Sequence, residues 1–327
     1  MGVVRIGILA YEGCFASEVF AVSDFLRIAD HVARDNGAAD TDLFRTSVVA
    51  ASPEPVAAAG GFTIGAHRWH HDFELIVVPG FDLSPATDLD VRLGDLGREI
   101  DFLRAAGHRR TRIASVCVGA FLLGEAGLLD GRRCTTSWLF ASRLARRYPR
   151  STVCAESLLV ADEQITTTAA FTASLDLATA IVRDHLGADV ARATARITLV
   201  SENRNSQAPY VVESMVQTTA GPFAIAVQRW LVDHLTEPYS LSRLAEALHV
   251  STRTLLRRYA DEAGCSPLDF LQQARIGAAK RLLTDTDVPI GEIPRRVGYQ
   301  DPSTLRRLFV DRVGLGLGDY RRQFRAC

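Results

Sequence analysis

The chain carries an internal repeat with a spacing of 50 residues in its last third. Shifting the segment STRTLLRRYADEAG (251–264) by 50 places it on DPSTLRRLFVDRVG (301–314). The matching pairs include Thr254/Thr304, Leu255/Leu305, Arg257/Arg307, Tyr259/Phe309, Asp261/Asp311 and Gly264/Gly314. Self-similarity of this kind indicates one supersecondary unit that occurs twice. Any fold proposed for this region must therefore contain two similar units.

Each unit is predicted to be a helix-turn-helix. In the first, Ser251 is a good N-cap for a second helix in which Leu255 and Tyr259 face inward at a spacing of i, i+4. The helix before it carries an apolar stripe formed by Leu241, Leu244, Ala245 and Leu248. Between the units, LDFLQQARIGAAKRLL (268–283) predicts a long helix that holds them apart. Two units so linked can each place a helix in the major groove, ~34 Å apart.

The charge distribution agrees with a polyanion partner for this region. Residues 222–327 contain 16 Arg and Lys against 12 Asp and Glu, a net charge of +4, although the whole chain carries −1. A basic third beside an acidic remainder favours binding of nucleic acid at that end. Ordinary surface variation would also give +4, so charge alone does not decide the matter.

The first part of the chain predicts an α/β domain. Strand-like apolar runs cover 3–10, 45–52, 75–80 and 112–117, and helical stretches lie at 16–35, 96–106, 118–129, 138–147, 171–186 and 188–200. This alternation predicts a parallel sheet with helices on both faces, a flavodoxin-like arrangement. Residues 56–66 and 151–167 are expected to be hairpins attached to that core. We expect domains at 1–200 and 222–327, joined by a polar linker at 201–221.

The last domain resembles the AraC/XylS DNA-binding domain. The similarity rests on LAEALHVSTRTLLRRY, GCSPLDFLQQARIGAAKRLL and VGYQDPSTLRRLFVDRVG. It implies an all-α domain in which the first half of each second helix meets base edges. The residues that this implies as DNA-binding are Thr252, Arg253, Leu256 and Arg257 in the first unit, and Ser303, Arg306 and Arg307 in the second. Arg258 and Arg312 are expected to face phosphate or solvent.

Two departures from the first unit occur in the second. Pro294 stands where the first unit has Ala245, and a proline lacks the amide donor and can kink a helix. Leu317 stands where the first unit has Pro267. Both differences raise the question of whether the second unit is as rigid as the first.

A cysteine marks the first domain. The run RIASVCVGAFLLGEAGLL places Cys117 between a predicted buried strand and a helix, which predicts a nucleophile elbow. A thiol at the start of a helix lies near the positive end of the helix dipole, which favours the thiolate. Together with the order of elements, this resembles the PfpI-like superfamily, whose fold is that of the class I glutamine amidotransferases. The resemblance implies that Glu18 hydrogen-bonds the elbow cysteine.

The histidine that such cysteine hydrolases use as a base is missing. In AraC regulators of the GlxA type, which the whole chain resembles, it would stand in a TTHW-like segment; here the segment is TTSW and the position is Ser137. Phe81 also replaces a glycine of the oxyanion loop. The cluster of His67, His70 and His71 is interpreted as an exposed strand end, so no metal and no cofactor are expected.

Three functions remain open at this point. The favoured one is a cytoplasmic transcription regulator that binds double-stranded DNA. Its first domain would be non-catalytic and would serve for homodimer formation and effector sensing, with Cys117, Glu18 and Ser137 as candidate pocket residues. The second is a cysteine-dependent hydrolase or hydratase with a DNA-binding tail. The third is a redox sensor based on Cys117, because an accessible thiol of low pKa beside a carboxyl can be oxidised. No membrane segment is expected.

Overall fold

A computed structural model describes residues 2–37, 41–70, 72–84, 86–201, 204–215 and 221–325. The chain divides into two compact units, Met1–Gln207 and Ala208–Cys327, called here the N-terminal and the C-terminal unit. The division falls inside the segment expected to link the two domains. Among the described residues no helix is both long enough and apolar enough to cross a membrane.

A mostly parallel seven-stranded sheet forms the centre of the N-terminal unit. Its strands are β1 (Val4–Leu9), β2 (Phe44–Ala50), β5 (His67–Arg68), β6 (Leu75–Val78), β7 (Arg112–Ser115), β10 (Leu159–Asp162) and β11 (Ile165–Thr168). Their order is β10-β11-β7-β6-β1-β2-β5, and only the β10–β11 pair is antiparallel. The predicted α/β fold is confirmed.

The sheet is covered by helices. These are α1 (Ala16–Asp35), α2 (Leu89–Gly94), α3 (Gly97–His108), α4 (Ala120–Glu125), α5 (Ala141–Arg147) and α6 (Ala173–Ile197). Every residue of β6 is buried, which requires cover on both faces of the sheet and explains the continuous apolar run in this strand. Helix α1 packs against α6, and α3 packs against α4.

Local chain geometry accounts for two details. Helix α6 corresponds to the two helices predicted on either side of Gly187, because that glycine interrupts it with a φ of 86° and a ψ of 171°. The expected hairpin at 56–66 forms from β3 (Val56–Ala57) and β4 (Thr63–Ile64). The expectation for 151–167 was wrong in one respect: β11 pairs with β7, so the β10–β11 hairpin is part of the main sheet. Short strands β8 (Arg133–Cys134) and β9 (Thr152–Val153) pair separately.

The C-terminal unit is helical throughout its described residues. Its helices are α7 (Pro222–Asp233), α8 (Leu241–Ala247), α9 (Thr252–Ala263), α10 (Pro267–Asp285), α11 (Ile293–Arg296), α12 (Pro302–Val313) and α13 (Leu317–Phe324). The pairs α8–α9 and α11–α12 are the two helix-turn-helix units. Each has its own apolar core, and α10 contributes Leu271 to the first and Ile276 and Leu283 to the second. The long helix thus joins the two units rigidly, as predicted.

The repeat preserves the caps of the second helices. The Ser251 hydroxyl accepts a hydrogen bond from the Thr254 amide, as predicted, and Asp301 accepts one from the Ser303 amide in the second unit. Both helices end at a glycine in the left-handed region, Gly264 with φ 71° and Gly314 with φ 75°. A side chain at these glycines would be strained, which explains why the repeat includes them.

Part of the expected linker is packed onto the units. Gln207 is 2% exposed, and its side-chain amide donates to Thr136 O and accepts from the Trp138 amide, both at the N-terminal unit. In the C-terminal unit the buried Lys280 donates to the carbonyl oxygen of Val211 at 3.0 Å and forms an ion pair with Glu213. Gln207 is therefore anchored within the N-terminal unit, and Val211 and Glu213 are anchored within the C-terminal unit.

Candidate nucleic-acid interface and elbow-cysteine site

Helix α9 separates its buried and exposed faces clearly. Leu255 and Tyr259 are fully buried in the first core. Arg253, Leu256 and Arg257, at a spacing of i, i+3, i+4, are exposed together on the outer face. Thr252, the first residue of the helix, is exposed as well.

Helix α12 repeats this separation. Leu305 and Phe309 are buried, whereas Ser303, Arg306 and Arg307 are exposed. The Ser303 hydroxyl donates to the Asp301 carboxylate, so it is already used in capping the helix. Val310 continues this outer face and is 49% exposed. Sequence reasoning missed Val310, although its place three residues after Arg307 signals it.

The arginines of the C-terminal unit differ in whether they have partners. Within the part of the chain that the structure describes, no hydrogen bond or ion pair holds Arg253, Arg257, Arg306 or Arg307. Their guanidinium groups keep all their donors available. These four exposed arginines lie on the second helices of the two units, where the sequence predicted DNA contacts.

Arg258 and Arg312 have partners inside the protein. Arg258 Nε donates to Glu262 at 2.9 Å, and its guanidinium lies 4.3 Å from the centre of the Phe223 ring. Arg312 Nη2 donates to Gln272 at 2.7 Å and forms an ion pair with Asp269. The Arg258 side chain is still 51% exposed, so it faces solvent as expected. The Arg312 side chain is 27% exposed and is held against α10, so for this arginine the expectation is not met.

The two departures in the second unit do not disturb its geometry. Pro294 lies in the first turn of α11, where a helix has no use for that amide donor. Leu317 begins α13 just as Pro267 begins α10, each after a residue with extended backbone. Neither Pro294 nor Leu317 kinks the helix in which it lies.

The N-terminal unit contains the predicted elbow. Cys117 lies two residues after the end of β7 and has a φ of 53°, a left-handed conformation that few residues other than glycine adopt. The Thr136 hydroxyl donates to the Cys117 carbonyl oxygen at 2.7 Å. The neighbouring backbone amides of Val118 and Phe171 lower the pKa of its thiol, although burial outweighs them. The Thr136 hydrogen bond thus holds the backbone of the elbow.

Glu18 lies beside the elbow, but the hydrogen bond to the Cys117 thiol that the resemblance implied is not found among the described residues. A Cβ built on Gly80 would lie 3.1 Å from the Cys117 Cβ and 3.2 Å from Glu18 Oε2, so the three residues meet at one point. Glu18 Oε2 accepts from the Gly80 amide at 2.5 Å, while its Oε1 has no partner among the described residues. Burial raises the pKa of Glu18 to about 8, although the Gly80 amide lowers it. At neutral pH this carboxyl is therefore mainly protonated.

The thiol is protonated too. Burial, and to a smaller extent the neighbouring Glu18, raises the pKa of Cys117 to about 12. The expectation that the helix start would favour a thiolate is therefore wrong, because loss of water outweighs the helix dipole here. A buried, protonated thiol is a poor nucleophile and is oxidised slowly.

Other residues of the expected pocket are also buried. Ser137 is 7% exposed, and Phe81 is fully buried with its ring edge against Tyr11. The histidines lie elsewhere: His67 is on β5 and His185 packs against Phe44. His71, part of the HRWHH cluster, lies outside the described residues. Within the described ranges, no three His, Cys, Asp or Glu side chains are grouped as metal ligands.

An apolar cavity opens next to the elbow. Its volume is about 530 Å³, and its lining includes Phe15, Phe20, Phe62, Ile64 and Phe171. The rings of Phe15 and Phe171 meet edge to face at 5.5 Å, and the backbone amide of Phe171 is close enough to Cys117 to lower the pKa of its thiol. No local sequence pattern predicts this cavity, because its residues come from three separate segments.

One family model matches each of the two units. The model of the DJ-1/PfpI family matches residues 8–184, and a helix-turn-helix domain model matches residues 244–323. A crystal structure from Vibrio parahaemolyticus covers 61% of this chain and all of that chain, with 17% sequence identity and a TM-score of 0.50. This likeness concerns the fold alone.

Relatives match across both units. The HTH-type transcriptional regulator GlxA of Rhizobium meliloti is 26% identical over 321 residues, which are 95% of each protein. The HTH-type transcriptional regulator GbdR of Pseudomonas aeruginosa is 26% identical over 79% of this chain and 72% of that protein. The chain therefore belongs to the DJ-1/PfpI family and joins to that domain an AraC-type helix-turn-helix domain, as regulators of the GlxA type do.

Proposed function

We propose that this protein is a sequence-specific, DNA-binding transcription regulator. The observation that carries the proposal is the repeated outer face of α9 and α12, on which Arg253, Arg257, Arg306 and Arg307 stand exposed without partners in the described chain. Arginine binds the O6 and N7 atoms of guanine through two parallel hydrogen bonds. Two exposed arginines on the second helix of each helix-turn-helix, joined by one long helix, suit two successive segments of the major groove.

Two substitutions test this assignment. Arg257→Ala and Arg307→Ala in the full chain should each weaken binding to a duplex obtained by in vitro selection, by about 5- to 150-fold for a loss of about 1–3 kcal/mol. Fluorescence anisotropy at fixed salt measures the Kd, because phosphate contacts make affinity strongly dependent on salt.

Arg258→Ala is the matched control. This arginine lies on the same helix as Arg257, but it is engaged by Glu262 and Phe223. Its removal should change the Kd by less than about threefold, because an exposed ion pair contributes little. If Arg258→Ala weakens binding as much as Arg257→Ala does, the assigned reading face is wrong. If the full chain shows no preference among sequences, the proposed function is wrong.

We further propose that the N-terminal unit has no catalytic role. Two chemical observations support this: Ser137 stands where a histidine base is expected, and burial raises the pKa of the Cys117 thiol to about 12. In addition, the relatives are named as regulators. We expect no turnover of amide, glyoxal or isonitrile substrates. Turnover that disappears in Cys117→Ala would favour the hydrolase or hydratase instead. A peroxide effect on DNA affinity that Cys117→Ala abolishes would favour the redox sensor.

Effector sensing and dimer formation complete the proposal. The apolar cavity lined by Phe15, Phe20, Phe62 and Phe171 has a volume typical of small-molecule sites. Its lining suits an effector that is largely apolar. Two chains would present four helix-turn-helix units and so gain affinity through linkage. Analytical ultracentrifugation of the full chain tests for the dimer. A DNA-binding role requires the compartment that contains the chromosome, which supports the expected cytoplasmic location.

A further inference from the structure

The two reading faces are not chemically equivalent. A shift of 50 residues relates the exposed positions of α9 to those of α12. Arg257 and Arg307 correspond, so both units carry an arginine there. At another of these positions, however, the first unit has Leu256 and the second has Arg306, and both are exposed. The two units therefore cannot select the same base at the equivalent place.

Leu256 is exposed without a packing role. Leu256 is 41% exposed, whereas the adjacent Leu255 is fully buried. Leu256 belongs to neither of the two apolar cores of the C-terminal unit. A single exposed leucine has no meaning by itself. The position of Leu256 is what distinguishes it, because it stands on one face with Arg253 and Arg257, two arginines without partners in the described residues.

Only one base offers a good partner for such a side chain in the major groove. Thymine presents a C5 methyl group, whereas cytosine has only a hydrogen at C5 beside its N4 amino group, and the purines present N7 with O6 or the N6 amino group. A leucine placed against the amino group of cytosine or adenine would remove water from a donor without replacing the hydrogen bond. Its contact with thymine both gains apolar burial and avoids that cost.

We propose that Leu256 selects a thymine through its C5 methyl group, at a base pair next to those contacted by Arg253 and Arg257. This inference rests on the proposed function and adds a specificity to it. The second helix-turn-helix, with Arg306 at the equivalent position, selects guanine there instead. The two halves of the binding site of one chain therefore differ in the base selected at this place.

Replacing thymine with deoxyuridine isolates the methyl group. The probe is the duplex obtained by in vitro selection with the full chain, in which each thymine is replaced singly by deoxyuridine. This change keeps every hydrogen-bonding group and removes only the methyl. At one position the wild-type protein should lose about fourfold in affinity, the value for one buried methyl-sized group. The Leu256→Ala protein should lose nothing at that position.

Leu268→Ala is the matched control. Leu268 is also in the C-terminal unit and is 39% exposed, but it lies on α10 and not on α9, the helix that carries Leu256. This variant should keep the fourfold loss on deoxyuridine. The inference is overturned if Leu256→Ala keeps that loss, or if the duplex is bound specifically and no thymine methyl matters. Both results leave the proposed function standing, whereas equal binding of all sequences would overturn the function itself.

Discussion

Replacing Glu18 with glutamine should remove a large part of the pH dependence of the stability of the N-terminal unit. Glu18 is 1% exposed, and its Oε1 has no partner among the described residues. Burial therefore disfavours its charged form, and its pKa is raised from 4.5 to about 8. Glutamine has nearly the same shape, remains neutral at every pH, and can still accept from the Gly80 amide.

The expected size follows from proton linkage. Between pH 4.5 and 8 the folded unit keeps a proton on Glu18 that the unfolded chain releases, so stability falls as the pH rises through this window. The loss is about 1.4 kcal/mol per pH unit, or about 5 kcal/mol once the pH exceeds 8. Below pH 4.5 the contribution is fully present. Cys117, with a pKa of about 12, does not titrate in this range.

Urea unfolding of the full chain at a series of pH values measures this difference. Trp69 and Trp138 report on the N-terminal unit, and Trp230 is the tryptophan of the C-terminal unit. A Trp230→Phe background therefore restricts the fluorescence signal to the unit that contains Glu18. Wild type and Glu18→Gln in that background should have similar unfolding free energies near pH 4.5 and should diverge towards pH 8.

The contribution of Glu18 is read from the difference between the two proteins, because other buried carboxyls titrate equally in both. If the two curves remain parallel from pH 4.5 to 9, Glu18 is not a buried neutral carboxyl and the account of the elbow is wrong. A divergence in the opposite direction, with Glu18→Gln less stable at high pH, would show that the carboxylate is stabilised in the fold.

Three further outcomes are expected. Gly119→Ala should lower the unfolding free energy by about 2 kcal/mol, because its Cβ would lie 2.6 Å from a backbone carbonyl oxygen. Gly97→Ala, whose Cβ would have no atom within 4 Å, should not be destabilising, and urea unfolding compares the two variants. Iodoacetamide should label the exposed Cys265 at least about tenfold faster than the buried Cys117, as peptide mass spectrometry would show, and equal rates would contradict the burial of the elbow. Pro294→Ala should change the unfolding free energy by less than about 1 kcal/mol, since this proline lies in the first turn of its helix; a larger loss would mean that it has a packing role.

Much of the fold was predictable because local patterns carry it. The apolar runs became β1, β2, β6 and β7, and the 50-residue repeat became two units with matching caps. The pairing of β11 with β7 was not predictable, because it joins residues about 50 positions apart and has no local pattern. The anchoring of the expected linker by Lys280 depends on the same kind of distant contact.

The exposed face proposed to read DNA was predictable in position but not in detail. Helical periodicity together with the repeat places Arg253, Arg257 and Arg307 on outer faces. It cannot tell which exposed arginine has a partner, because the partners of Arg258 and Arg312 include residues of other helices. Only the packing of those helices separates an arginine that binds inside the protein from one that stays available.

What the sequence by itself determined is the order of elements, the duplicated unit, the cysteine at the elbow and the missing histidine. These are properties of residue types and of short-range spacing. The tertiary structure decided the chemical state of Cys117 and Glu18, because the cost of removing water from a charge depends on everything packed around it. The helix dipole that the sequence revealed favours a thiolate, and the burial that only the fold supplies favours the neutral thiol.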